Sequence, residues 1–294
     1  MFRRLLLLTL MIVLAAAGSR ADIWYVYPDG SGDAPTIQAA VDSASSGDQI
    51  LASGGEYYEE NILIDGKDIM LDSFTGIIYL IAPTHGSGTG FDIRNVTGGF
   101  WLNSFNISGF STAIAISDGS PNINFLAISD CSEGIRIGGA ASAPYITYSL
   151  IDSCGTGYEV EQGSSITIRN HTIVDCATGV RVSAGSVSLV RNIIYGSDIG
   201  VECGGTVTFE CNNFYNNTSD YSGCSPGATD FYTDPMFCFL TPPSPGRYYL
   251  HQNSPCYTGS NPCGARIGTF TSIFGCTGEG VEERSWGAIK LLYD

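Results

Sequence analysis

Basic residues are scarce in this sequence. Thirteen lysines and arginines stand against 29 aspartates and glutamates in 294 residues, giving a net charge of −16. A surface that acidic repels a phosphate backbone, so nucleic acid is excluded as a partner. A polyuronate substrate would also be repelled unless a local basic patch received it. Long apolar runs are equally scarce. The one at residues 5–17 falls well short of the roughly 20 residues that span a bilayer. No later run is long and apolar enough, so no membrane span is expected once a leader is removed.

That early run has the architecture of a leader. Met1-Phe2-Arg3-Arg4 gives a basic start, residues 5–17 the greasy centre, and Ser19 and Ala21 the small residues of a cleavage site before Asp22. Residues 1–21 are therefore expected to be a signal peptide, and the mature chain to be secreted or held at the cell surface. Losing Arg3, Arg4 and Arg20 leaves 10 basic residues against 29 acidic ones and moves the charge from −16 to −19. Clustered carboxylates can hold hard cations such as Ca²⁺, but composition places no such site.

Charged residues make up only 14% of the chain, whereas glycine fills 37 positions, which points to tight turns and close backbone packing. The glycines are periodic. Gly90-Phe91-Asp92-Ile93, Ala113-Ile114-Ala115-Ile116, Gly134-Ile135-Arg136-Ile137, Gly157-Tyr158-Glu159-Val160, Gly179-Val180-Arg181-Val182 and Gly200-Val201-Glu202-Cys203 follow one another at offsets of 23, 21, 23, 22 and 21. Each copy alternates apolar and polar residues, as a strand with one buried face does. A second apolar stretch lies midway in each period, at 123–128, 146–151, 166–174, 187–194 and 207–214, so each coil holds at least two strands. A propeller blade needs about 40 residues, and a leucine-rich repeat would show its leucines. The period predicts an all-β solenoid.

Two columns follow from stacking the copies. Three residues before each glycine stand Phe110, Cys131, Cys154, Cys176 and Ser197, an interior ladder of small side chains, with adjacent disulfides as the alternative. The polar centre of each motif gives an outward row of Asp92, Ala115, Arg136, Glu159, Arg181 and Glu202, whose charge alternates in sign from Arg136 onward. Near the start, Thr36 can cap a short helix that places Ile37, Ala40, Val41 and Ala44 on one face, a plug for the first coil.

Asp29-Gly30-Ser31-Gly32, Thr36-Ile37-Gln38-Ala39-Ala40-Val41, Gly47-Asp48, Gly55-Glu56-Tyr57 and Gly66-Lys67 together resemble the opening of the pectin-lyase-like β-helix superfamily. The resemblance covers residues 24–217. It implies a right-handed, single-stranded parallel β-helix of three sheets, in one domain over residues 22–217, with the helix as its N-terminal cap. After Asn217 the period is lost. Residues 218–276, rich in cysteine, proline and glycine, are expected to form a disulfide-stapled C-terminal cap. Cys256 with Cys263 and Cys224 with Cys238 are the pairs suggested, with connectivity left open. Residues 277–294 form a linker and a tail that either docks or acts as a surface-sorting signal.

The resemblance also implies carbohydrate chemistry, but the motifs of polygalacturonases, pectin esterases and pectate lyases are absent. His85, His171 and His251 have the wrong neighbours for them. The catalytic candidates left are in the charged row. Arg136 or Arg181 would be the base of a polysaccharide lyase, which would call for Ca²⁺ or a basic group beside the substrate carboxylate. Glu159 and Glu202 would be the paired carboxyls of a hydrolase. Arg181 between them favours both being ionised, so an ion-pair ladder is the simpler reading. Tyr145, Tyr148, Tyr158, Tyr195 and Tyr215 either stack on sugars or belong to the core. Asn103, Asn124, Asn170 and Asn192 read as turn or ladder asparagines. Asn95, Asn106 and Asn170 match the glycosylation pattern. The sequence thus predicts a monomeric exported β-helix with a structural or carbohydrate-binding role, with a polysaccharide or cell-surface glycan as partner. A polysaccharide lyase or glycoside hydrolase acting on a glycan, uronic-acid glycans included, is the competing reading.

Overall fold

The computed structural model describes residues 21–161, 165–238 and 248–269. The expected signal peptide, apart from Ala21, and the expected 277–294 tail lie outside the described residues. The period becomes a parallel β-solenoid of about 9 turns. Its opening is stoppered by the helix Ile37–Ser43, which buries Ile37, Ala40 and Val41. Thr36 accepts a hydrogen bond from Ala39 N at 3.0 Å, as an N-cap should. The next coil completes both ends of this short helix. Glu59 accepts from Ile37 N and Gln38 N at 2.8 and 3.1 Å, and Lys67 Nζ donates to the Val41 and Asp42 carbonyls.

Each coil of the middle third carries three strands. The glycine-led motif supplies the first row, exemplified by Glu133–Gly138, Thr156–Val160, Thr178–Val182 and Ile199–Cys203, in an eight-stranded parallel sheet that ends at Ser219–Ser222. The second stretch is divided. Asn122–Asn124, Tyr145–Thr147, Ser165–Arg169 and Ser186–Val190 belong to a second row, and Ala127–Ser129, Leu150–Asp152, Thr172–Val174 and Ile193–Tyr195 to a third. One left-handed residue turns the corner between them. Ser104, Phe125, Tyr148, Asn170, Arg191 and Cys211 all have φ between 52° and 68°.

The repeated glycine exists because of how closely the coils stack. A Cβ on Gly134, Gly157, Gly179 or Gly200 would lie 2.4–2.7 Å from the backbone carbonyl oxygen of the residue stacked on it in the next coil. Gly157→Ala is therefore expected to destabilise the protein by about 1–3 kcal/mol, because the crowding is against backbone and has no flexible side chain to absorb it. A lower urea midpoint would register this, and an unchanged midpoint would mean that the coils yield.

Inside, Cys131, Cys154 and Cys176 form the expected ladder as buried free thiols. Each satisfies its hydrogen locally, on the carbonyls of Ser129, Asp152 and Val174 at 3.2–3.5 Å. The asparagines fall where expected. Asn170 sits at a left-handed corner, and Asn103, Asn124 and Asn192 are buried in hydrogen-bonded ladders.

The C-terminal segment carries disulfides, as expected of the cap. It folds back along the third row, where Phe231, Phe237, Tyr248, Leu250 and Ile267 bury Leu150, Val174 and Ile193 in a second apolar cluster. The Tyr248 hydroxyl reaches Asp152 and Asp175 at 2.9 and 3.2 Å, and the Thr269 hydroxyl lies 2.7 and 2.8 Å from the Ser149 and Asn170 carbonyls. Among the described residues the disulfides are Cys203–Cys224 and Cys211–Cys263, correcting both expected pairs. Cys203 and Cys224 are 21 residues apart, one coil, which brings their Cα atoms to 5.7 Å. Cys256, expected to pair with Cys263, is instead a buried free thiol 3.3 Å from Asn213 Nδ2, and Cys238 is bonded elsewhere than to Cys224.

Candidate functional site

Strand register aligns the whole predicted row: Asp92 with Ala115, Ala115 with Arg136, and on through Glu159 and Arg181 to Glu202. All project from the outer face of the first row, because their neighbours along each strand point into the core.

Arg181 lies between the two candidate carboxyls and holds both. Its Nε donates to Glu202 at 2.6 Å, and its Nη1 donates to Glu159 at 3.5 Å and to Thr156 at 3.2 Å. Its Nη2 reaches Thr178 at 3.3 Å, and the Ser183 hydroxyl donates to the other oxygen of Glu159. Glu159 is the most enclosed of the group, its side chain 11% exposed against 41% for Glu202. The ladder breaks one coil earlier. Arg136 pairs with Glu133, three residues back in its own strand, and lies 3.8 Å from Glu161, but forms no ion pair with Glu159 within 4 Å. Glu133 and Glu161 were missed in the sequence because the alternating row was read one column wide. Glu133 occupies the next outward column, in register with Thr112 and Thr156.

The carboxylates hold both guanidiniums above their ordinary range. For Arg136 the leading cause is the hydrogen bond to Glu133, and for Arg181 the one to Glu202, each partly offset by burial. A base must give up its proton readily, and neither arginine is placed to do so. The carboxylates turn toward arginines and hydroxyls, so the row does not gather the convergent oxygens that Ca²⁺ requires. No group of three His, Cys, Asp or Glu side chains suited to a metal occurs among the described residues.

The tyrosines divide by position. Tyr158 is fully buried, which removes it from any sugar-stacking role. Tyr148 stacks on Phe125 at 5.7 Å with the Arg266 guanidinium 5.8 Å above it, and Tyr195 packs between Tyr215 and Phe237. Tyr145 stands free of such contacts on the second row, 57% exposed. No helix among the described residues is long and apolar enough to cross a membrane. Comparison with known proteins leaves the site without a precedent: no family model, curated protein or solved structure matches this chain.

Proposed function

We propose that this protein is an exported β-solenoid, of the pectin-lyase-like kind its opening motifs resemble, that binds a glycan and does not cleave it. The observation that carries this reading is the state of the first row. The arginines and carboxylates that chemistry would need are committed to one another, with Arg181 joining Glu159 to Glu202 and Arg136 joined to Glu133. Such a ladder adds about 0.2–1 kcal/mol per pair and rigidifies a surface. Disulfides such as Cys203–Cys224 and Cys211–Cys263 are compatible with life outside the cell. Exposed rings on the outer faces, Trp101 and Tyr145 among them, suit the apolar face of a sugar.

The test is to incubate residues 22–294 with a panel of neutral and uronic-acid glycans, with and without Ca²⁺. Unsaturated products and new reducing ends report cleavage, and retardation in glycan-containing native gels reports binding. Retention without turnover is the expected result. Turnover that disappears in Arg136→Ala or Glu159→Ala would overturn the binding reading in favour of a lyase or hydrolase.

A further inference from the structure

The three outer faces of the solenoid are not equivalent. The first carries the ion pairs and the third is largely covered by the C-terminal segment. The second has an outward column, in continuous register from Gln49 to Thr208, without a single charged residue. In a chain of net charge −16 this is an uncharged stripe on an acidic body.

The centre of that stripe is Trp101, Asn122 and Tyr145 in three successive coils. Trp101 is 41% exposed and Tyr145 57%. Large rings are usually withdrawn from water when a core can take them, and here the core is already filled by Leu102, Ile123 and Ile146, their strand neighbours. Asn122 stands between the rings with its Nδ2 held by the Gly98 and Phe100 carbonyls at 2.6 and 3.4 Å. That anchoring leaves its Oδ1 to accept from a ligand hydroxyl. Two strand spacings put the rings about 9.6 Å apart along the solenoid axis.

We infer that Trp101, Asn122 and Tyr145 form a binding site for a neutral, extended polysaccharide lying along the solenoid axis. The site rests on the glycan-binding reading above and gives it a place and a ligand class. Each ring stacks on the C–H face of a pyranose, and the spacing suits alternate sugars of an equatorially linked chain. The amide between them takes a hydrogen bond from the intervening sugar. Charge selects the ligand. With no cation in the column and an acidic body around it, a uronate chain would be repelled, while a neutral one loses nothing.

The experiment is affinity electrophoresis of residues 22–294 in gels containing hydroxyethylcellulose, mixed-linkage β-glucan or polygalacturonate. Retardation by a neutral polymer and none by polygalacturonate is expected. Trp101→Ala and Tyr145→Ala should each weaken it about tenfold, the scale of one lost ring stack. Tyr58→Ala, an exposed ring away from the stripe, should leave it unchanged. Because all three rings are exposed, unaltered thermal melts should show that the variants fold. Undiminished binding in the Trp101→Ala/Tyr145→Ala double variant would place the ligand elsewhere and sink this site while leaving the glycan reading intact. No retardation by any polymer would sink both. A dimer in size-exclusion chromatography that Trp101→Ala dissociates would make the stripe a self-association surface and likewise overturn the proposal.

Discussion

Replacing Cys211 and Cys263 together by serine should give the protein a separate, lower thermal transition in which the C-terminal segment leaves the flank of the solenoid. The bond spans 52 residues, and closing a loop of that size contributes about 4 kcal/mol in the chain-entropy account. Without it the segment keeps its apolar cluster and the contacts of Tyr248 with Asp152 and Asp175, but it has to order a long stretch of chain for them. The stacked coils depend chiefly on their immediate neighbours, so their own transition should move little. Calorimetry with limited proteolysis, read by mass, distinguishes the cases. A single transition at the wild-type temperature, with the segment still protected, would show that packing alone holds it.

The sequence held a sign of that covered flank. Along the third row one outward column runs Asn106, Ala127, Leu150, Thr172, Ile193 and the other Ser108, Ser129, Asp152, Val174, Tyr195, so large apolar side chains enter from Leu150 onward among polar ones. A strand that becomes apolar on both faces needs a second cover. The period was legible because one glycine and one alternation recur in every coil. The division into second and third rows was not, because the corner residues share only a dihedral angle. Phe125, Tyr148 and Arg191 are not types that announce a left-handed turn. The disulfides differ from expectation for a related reason. The expected pairs join cysteines close in sequence, whereas in a solenoid the spatial neighbour of Cys224 is one coil back, at Cys203.

The candidate site was legible in its residues and incomplete in its partners. Register follows from the period, so the row from Asp92 to Glu202 could be drawn from the sequence alone. Which carboxylate an arginine chooses depends on side-chain reach within a strand and across columns, and Arg136 chose Glu133. The Trp101 stripe has no such signature in the sequence, because its members Met70, Trp101, Asn122, Tyr145 and Thr167 share a register and no residue type.

Acid should weaken the protein through His171, a residue with no catalytic neighbours and a structural place of its own. The residue after each corner points inward, and at Asn192 and Asn212 it donates its side-chain amide to the second-row carbonyls of Ile168 and Leu189, each at 2.9 Å. The Asn192 and Asn212 Oδ1 atoms accept the backbone N–H of the preceding coil's equivalents, His171 and Asn192. His171 Nε2 stands 3.0 Å from the Ile146 carbonyl, which is in register with Ile168 and Leu189, so the imidazole does the donating work of a third asparagine. A carbonyl can only accept, so Nε2 carries the proton and Nδ1 receives the Tyr158 hydroxyl at 3.2 Å. Burial lowers the His171 pKa from 6.5 to about 4. The unfolded chain therefore binds a proton that the folded one refuses. The stability is fully present above pH 6.5 and drains away as pH falls toward 4, for a loss of about 3 kcal/mol. His171→Asn should keep the bond to Ile146 and abolish this share of the acid sensitivity, at the cost of leaving the Tyr158 hydroxyl unpaired. Urea midpoints of the two proteins at pH 7, 5.5 and 4 measure the difference. Equal slopes with pH would assign the acid sensitivity to the carboxylates instead.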